Sequence, residues 1–269
     1  MTPALLARLN AYYSASAARY REAIQPAYEP ISEALVNFAE IQRGDSVLDI
    51  GAGTGAASQA AKARDAHVVA LDLAHAMLTQ ASYPSSARVQ ADYHHLPLRR
   101  ASADVILAAL AFNSGDPSAA FPEVRRVLRP GGRMALAEWG TADDLSELVS
   151  DTVILYSVDE PPDWLAPFRD PLDLPWDRYD TSDDIVEELE RRGFQRIERS
   201  LETLSIPITV EAFMRYKLAW PIRDAELAAM DEEARQLCLS DLRENLLAAT
   251  TEEGLLRWQP NLVFVRATA

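Results

Sequence analysis

Residues 4–24 place Leu5, Leu9, Tyr12, Tyr13, Ala17, Tyr20 and Ile24 at spacings near three and four, the period of an amphipathic helix. Pro26 and Pro30 predict its end, and a second short helix fits Ile31 to Phe38. From Val47 to about residue 140 the pattern changes. Short apolar runs, "VLDI", "HVVALDL", "ARVQAD", "ADVILAALAF" and "GRMALAEWG", alternate there with helical stretches. Strands apolar on both faces belong in a parallel sheet covered on both sides, so the predicted fold is doubly wound α/β.

After Gly140 the texture shifts again. "DEPPDWLAPFRDPLDLPWDRYD" is too rich in proline to form one regular element. "TSDDIVEELERRGF" carries a capping hydroxyl, acids in its first turn, bases in its last and a glycine stop, which predicts a helix. "QRIERSLETLSI" reads as a strand, residues 209–250 as mostly helical, and "NLVFVRAT" as a final strand. The expected organisation is N-terminal helices over 1–45, an α/β core over 46–140, a cap insertion over 141–180, a core helix and strand over 181–207, a helical cap over 208–255, and the last core strand over 256–269.

An apolar fraction of 48% with 25% charged residues fits a folded globular chain. The formal charge of -15 opposes binding to phosphate backbones, so nucleic acid is not an expected partner. Cys238 is the single cysteine, which rules out an intrachain disulfide and a cysteine-rich zinc site; no metal is expected, and Cys238 reads as a small core residue. No run approaches the roughly 18 apolar residues of a membrane span, and the N-terminus lacks a long apolar segment, so the expected location is cytoplasmic.

In "VLDIGAGTG" a strand runs straight into Gly51, Gly53 and Gly55, an arrangement that brings a ligand against bare backbone. "GAGTGA" satisfies the dinucleotide fingerprint in letter. Asp49, two residues before the first glycine, disfavours a pyrophosphate and favours a cation. S-adenosylmethionine, with its sulfonium and ammonium, meets that condition. Asp72, seventeen positions beyond Gly55, can accept both hydroxyls of a ribose, and Asp92 stands where an adenine amino group needs an acceptor.

"VLDIGAGTG", "VVALDLAHAML", "VQADYHHLPL" and "VRRVLRPGGRMALAEW", in this order and spacing, resemble the motif series of class I S-adenosylmethionine-dependent methyltransferases, most of all the branch that methylates quinones and natural-product scaffolds. The resemblance is dense over 40–140. It implies a seven-stranded Rossmann-like sheet whose last strand, "NLVFVRAT", is antiparallel, N-terminal helices acting as a lid, and S-adenosylhomocysteine as product. It further implies Asp49, Gly51, Ala52, Gly53 and Thr54 around the methionine part, Asp72 on the ribose, Leu73 and Met77 against the adenine, Asp92 and Tyr93 at its edge, and Ala108 and Ala109 lining the pocket.

The acceptor is expected to be a small, largely apolar metabolite methylated on oxygen, carbon or nitrogen, possible in secondary metabolism. Candidate pocket residues are Tyr12, Tyr13 and Tyr20 of the first helix with Asn113, Trp139, Trp164 and Trp176. His94, His95 and Glu138 are the candidates for a catalytic base. The histidines that many relatives carry after the fourth strand are replaced by "AFNSGDP", and the Asn/Asp-Pro-Pro-Tyr/Phe motif of DNA amino-group methylases is missing. Two other readings stay open: the same fold holding the cofactor for non-methylating chemistry such as cyclisation or hydroxylation, and a partner-binding module that uses the acidic 141–190 region.

Overall fold

The computed structural model describes residues 2–81, 87–112, 116–158, 162–163 and 182–269. Strand β1 (Ser46–Ile50) is buried from Val47 onward because it takes parallel neighbours on both edges. Those neighbours are β2 (His67–Asp72) and β4 (Ala103–Ala109). The sheet extends outward through β3 (Ala87–Gln90) on one side and β5 (Leu128–Trp139) on the other. Beyond β5 lie β9 (Asn261–Thr268) and β6 (Gln195–Thr203), giving the order β3-β2-β1-β4-β5-β9-β6. The last strand of the chain, β9, runs antiparallel to both β5 and β6, as the resemblance implied. This is the class I methyltransferase fold.

Helices α3 (Ala56–Lys62), α4 (His75–Thr79), α5 (Pro117–Val127) and α7 (Ser182–Arg191) connect the strands. A cap, a group of elements outside the large sheet, packs through helix contacts of its own. It contains α6 (Asp144–Leu155), α8 (Val210–Leu218), α9 (Pro221–Ala229) and α10 (Glu232–Ala248), with a small sheet of β7 (Ile206–Ile208) and β8 (Leu256–Trp258). The segment "QRIERSLETLSI" is thus two strands in two sheets and not one. In α10, Cys238, Leu242 and Leu246 form a buried stripe at a spacing of four, while Leu237 faces water. No helix among the described residues is long and apolar enough to cross a membrane.

The N-terminal segment corrects the expected proline break. Helix α1 (Pro3–Arg19) passes through a π-helical turn at Tyr20–Ile24 into α2 (Gln25–Phe38). The Gln25 amide donates to the Tyr20 carbonyl across this wide turn, and Pro26, which has no N–H to give, follows it where the ladder passes from π- to α-helical bonds. Pro30 does sit inside α2. Burial of Ile31, Leu35 and Val36 against the sheet outweighs the hydrogen bond it removes.

Trp258 anchors the cap. It is fully buried, contacts Trp139, Phe213 and Tyr216 ring to ring, and donates its indole N–H to Asp143 Oδ2 at 3.1 Å. Replacing Trp258 by Ala should lower the unfolding free energy by about 3–5 kcal/mol, read as a lower urea midpoint at unchanged slope.

Candidate functional site

Sheet order reverses between β2 and β4 around β1, which opens a crevice at the carboxyl ends of β1 and β4. A cavity of about 290 Å³ occupies that crevice. Its floor is Gly51, Gly53, Asp72 and Ala109; α1 covers one side with Leu6, Leu9 and Tyr13; Tyr20, Tyr28, Trp139 and Trp220 form an aromatic wall.

The glycines of the loop have separate causes. Gly51 has φ +64°, and a Cβ there would lie 2.5 Å from Ala111 Cβ, so packing and conformation both demand glycine. Gly53 has φ +55°, and its missing Cβ would point between Met77 Cε at 3.5 Å and Tyr20 Cε1 at 3.9 Å. It leaves a cradle beside two side chains of the cavity lining. Leu110, also in the lining, holds φ +53°, an uncommon state for a branched residue, and its amide donates to the Ala137 carbonyl at 2.8 Å.

Asp72 closes β2 and accepts the Gly53 amide on Oδ2 and the Ala74 amide on Oδ1, each at 2.8 Å. Burial raises its pKa, and these two bonds oppose the rise. Each carboxylate oxygen retains acceptor capacity for a hydroxyl of a ligand.

Behind the glycine loop lies a second, smaller recess lined by Gln25, Asp49 and Thr54 among others. Asp49 is buried near the carboxyl end of the central strand β1 and accepts the Ser58 hydroxyl on Oδ2 at 2.6 Å. Its Oδ1, Gln25 Oε1 and Thr54 Oγ1 are buried without a hydrogen-bond partner among the described residues. Three such atoms at one recess, all able to accept, suit a donor with several N–H groups. Burial pushes the Asp49 carboxyl up to about 7, with the Ser58 hydrogen bond opposing and the Asp72 charge adding.

Both histidine candidates fall outside the cavity lining. His94 is buried, with Nδ1 against Asp92 Oδ1 and Nε2 accepting the Asp116 amide at 3.2 Å. Both ring nitrogens are therefore committed, and the ring braces the turn after β3. His95 has a side chain 87% exposed, turned to solvent. Burial raises the Asp92 carboxyl, but hydrogen bonds from His94 and His95 outweigh it and leave the pKa lowered to about 2. Asp92 therefore stays ionised at the cavity wall. Glu138, the third candidate base, is buried and accepts the Phe112 amide on Oε1 at 2.9 Å; it fixes the segment after β4 and does not line the cavity.

Of the other sequence candidates, Leu73, Met77, Tyr93, Ala109, Tyr13, Tyr20 and Trp139 line the cavity, and Ala52 and Thr54 line the recess. Ala108 does not reach it: alternation along β4 turns its side chain into the opposite core layer. Tyr12 packs edge to face on Tyr13, outside the lining. Asn113, Trp164 and Trp176 lie outside the described residues. Sequence reading missed Tyr28 and Gln25 because prolines flank them, and it missed Leu6, Leu9 and Leu110, which carry no chemical signal. Trp220, which precedes Pro221 at the start of α9, also lines the cavity.

Residues 48–136 match the model of the methyltransferase domain family. The matched segment carries the glycine loop, Asp72 and Asp92 of the class I methyltransferase fold. A malonyl-[acyl-carrier protein] O-methyltransferase of Dechloromonas aromatica is 45% identical over 98 residues, which cover 36% of this chain and 37% of that one. An uncharacterized methyltransferase of Mycobacterium tuberculosis is 42% identical over 100 residues, covering 36% and 41%. The chain thus spans about two fifths of the length of the curated relatives it matches. Among solved structures, the YcgJ protein of Bacillus subtilis has a TM-score of 0.54 at 20% identity, covering 88% of this chain and 97% of that one. Phosphoethanolamine N-methyltransferase 2 of Haemonchus contortus, solved with S-adenosylhomocysteine, has a TM-score of 0.53 at 18% identity, covering 89% and 52%. At these identities the structures share the fold.

The residues present fit the cofactor of that class. The cradle at Gly53, the acceptor capacity of Asp72 and the three unpartnered atoms of the recess match, in turn, a close-lying chain, a ribose and an ammonium. Between 3.8 and about 7, folded Asp49 holds a proton that the unfolded chain has released, so its contribution to stability falls as pH rises through that window. Asp49→Asn should remove this fall from the urea midpoint. A cation bound beside Asp49 favours its ionised form, so the affinity of the native protein for S-adenosylmethionine should rise from about pH 6 to about pH 8, and that of Asp49→Asn should not.

Proposed function

We propose that this chain is an S-adenosylmethionine-dependent methyltransferase that acts on a small, largely apolar acceptor. The observation that carries the reading is the continuity of one cavity from the glycine loop and Asp72 to the aromatic wall of Tyr20, Tyr28, Trp139 and Trp220. When bound, the cofactor supplies a methyl group on a positively charged sulfur. Asp49, Gln25 and Thr54 would hold its ammonium, Asp72 its ribose, and Leu73 and Met77 its adenine. The aromatic wall would then seat the acceptor and exclude water from it.

Burial raises the phenols of Tyr20, Tyr28 and Tyr93 well above 10, so these groups position by their hydroxyls and rings and do not serve as bases at neutral pH. Asp92, ionised with a pKa of about 2, is likewise a poor proton acceptor. Orientation and removal of water therefore supply the chemistry that these residues contribute. A single buried thiol, Cys238, suits a reducing compartment, which supports a cytoplasmic setting.

Calorimetric titration tests the reading. Native protein should bind S-adenosylmethionine and S-adenosylhomocysteine, and Asp72→Ala should weaken both by more than tenfold, about 1.4 kcal/mol. Failure of the native protein to bind either would overturn it. With an acceptor in hand, the product should gain one methylene in mass while S-adenosylhomocysteine accumulates.

A further inference from the structure

The aromatic wall specifies more than an apolar acceptor. Trp220, Tyr20, Tyr28 and Trp139 follow one another edge to face: Trp220 and Tyr20 with centroids 6.1 Å apart and planes at 88°, Tyr20 and Tyr28 at 6.0 Å and 87°, Tyr28 and Trp139 at 5.7 Å and 65°. Rings turned so steeply at every step do not make the parallel-sided slot in which a flat aromatic acceptor would stack. They wrap a concavity. Tyr28 donates its hydroxyl to Tyr216 behind the wall, which leaves its ring as its contribution to the cavity.

Charge points the same way. Among the described residues no lysine, arginine or histidine lines the cavity, whereas Asp72 and Asp92 do. With Asp72 and Asp92 engaged by the cofactor, a carboxylate or phenolate acceptor would meet these four rings with no cationic side chain to pair it. An ammonium would be attracted by the rings. On the far side of Tyr216, the same aromatic cluster already accommodates one: Lys217 Nζ lies 4.9 Å from the Tyr216 centroid and 5.5 Å from those of Phe213 and Trp258.

Resting on the methyltransferase reading above, we infer that Tyr20, Tyr28, Trp139 and Trp220 form a cage for a small amine, and that the acceptor atom is its nitrogen. The amine is drawn to the rings as its ammonium and gives its proton to solvent there, so no side chain of the cavity acts as base. Its lone pair forms the new N–C bond as the C–S bond breaks toward sulfur. One positive charge thus passes from sulfonium to ammonium and remains beside the same rings, so the wall stabilises the charge before and after transfer.

The test is made on protein saturated with S-adenosylhomocysteine, so that the cofactor reading is settled first by the binding of that compound. Choline and its uncharged isostere 3,3-dimethylbutan-1-ol are then titrated by calorimetry. Choline should bind at least about tenfold more tightly, within the range of desolvated cation–π contacts. Trp220→Leu should bring the two affinities within about threefold of each other while S-adenosylhomocysteine affinity holds, and Trp220→Phe should restore much of the preference. Equal binding of the two probes, tighter binding of the isostere, or no measurable binding of choline to the saturated protein overturns the inference. So does a preference for choline that Trp220→Leu leaves intact.

Discussion

One carboxylate holds the site together. Asp72 takes an amide from the loop after β1 and another from the turn after its own strand, so two segments that would otherwise move separately share one anchor. The cost of burying that charge is visible in its raised pKa and is offset by the two hydrogen bonds. Everything above it depends on this tie: the cradle at Gly53, the position of Met77 and the floor of the cavity.

Around that anchor the polar groups divide the site into regions of different chemistry. The recess at Asp49, Gln25 and Thr54 is short of donors, and the rings of Tyr20 and Tyr28, whose hydroxyls are buried, border both it and the larger cavity. Acidic groups occur in both regions and cationic side chains in neither, among the described residues. A site of this kind selects ligands by sign before it selects them by shape.

The core was legible in the sequence because it obeys local rules. The runs "VLDI" and "HVVALDL" are apolar on both faces, which only a central parallel strand requires, and Asp49 stands out against its run as a polar residue with a task. Trp139, at the end of a strongly patterned strand, and Tyr13, in phase within a strongly patterned helix, were within reach for the same reason. What escaped was set by contacts distant in sequence. Glu138 and His94 carry side chains suited to catalysis, and only the Phe112 and Asp116 amides, 26 and 22 positions away, show that they are spent on the backbone. Pro26 and Pro30 predicted a break where burial of α2 prevails. Strand β8, three residues long, is too short for a period to register.

The π-helical turn explains how three tyrosines come to line one cavity. Tyr13 and Tyr20 are seven residues apart, close to two turns of α-helix, and so in phase. Tyr20 and Tyr28 are eight apart, which in a regular helix would carry the second ring about 80° out of line. The turn at Tyr20–Ile24 holds one residue more than an α-helical turn, and the surplus is absorbed there. The wall is therefore kept in angle and not in residue count: a chain one residue shorter between these tyrosines, folded as plain α-helix, would present the same face.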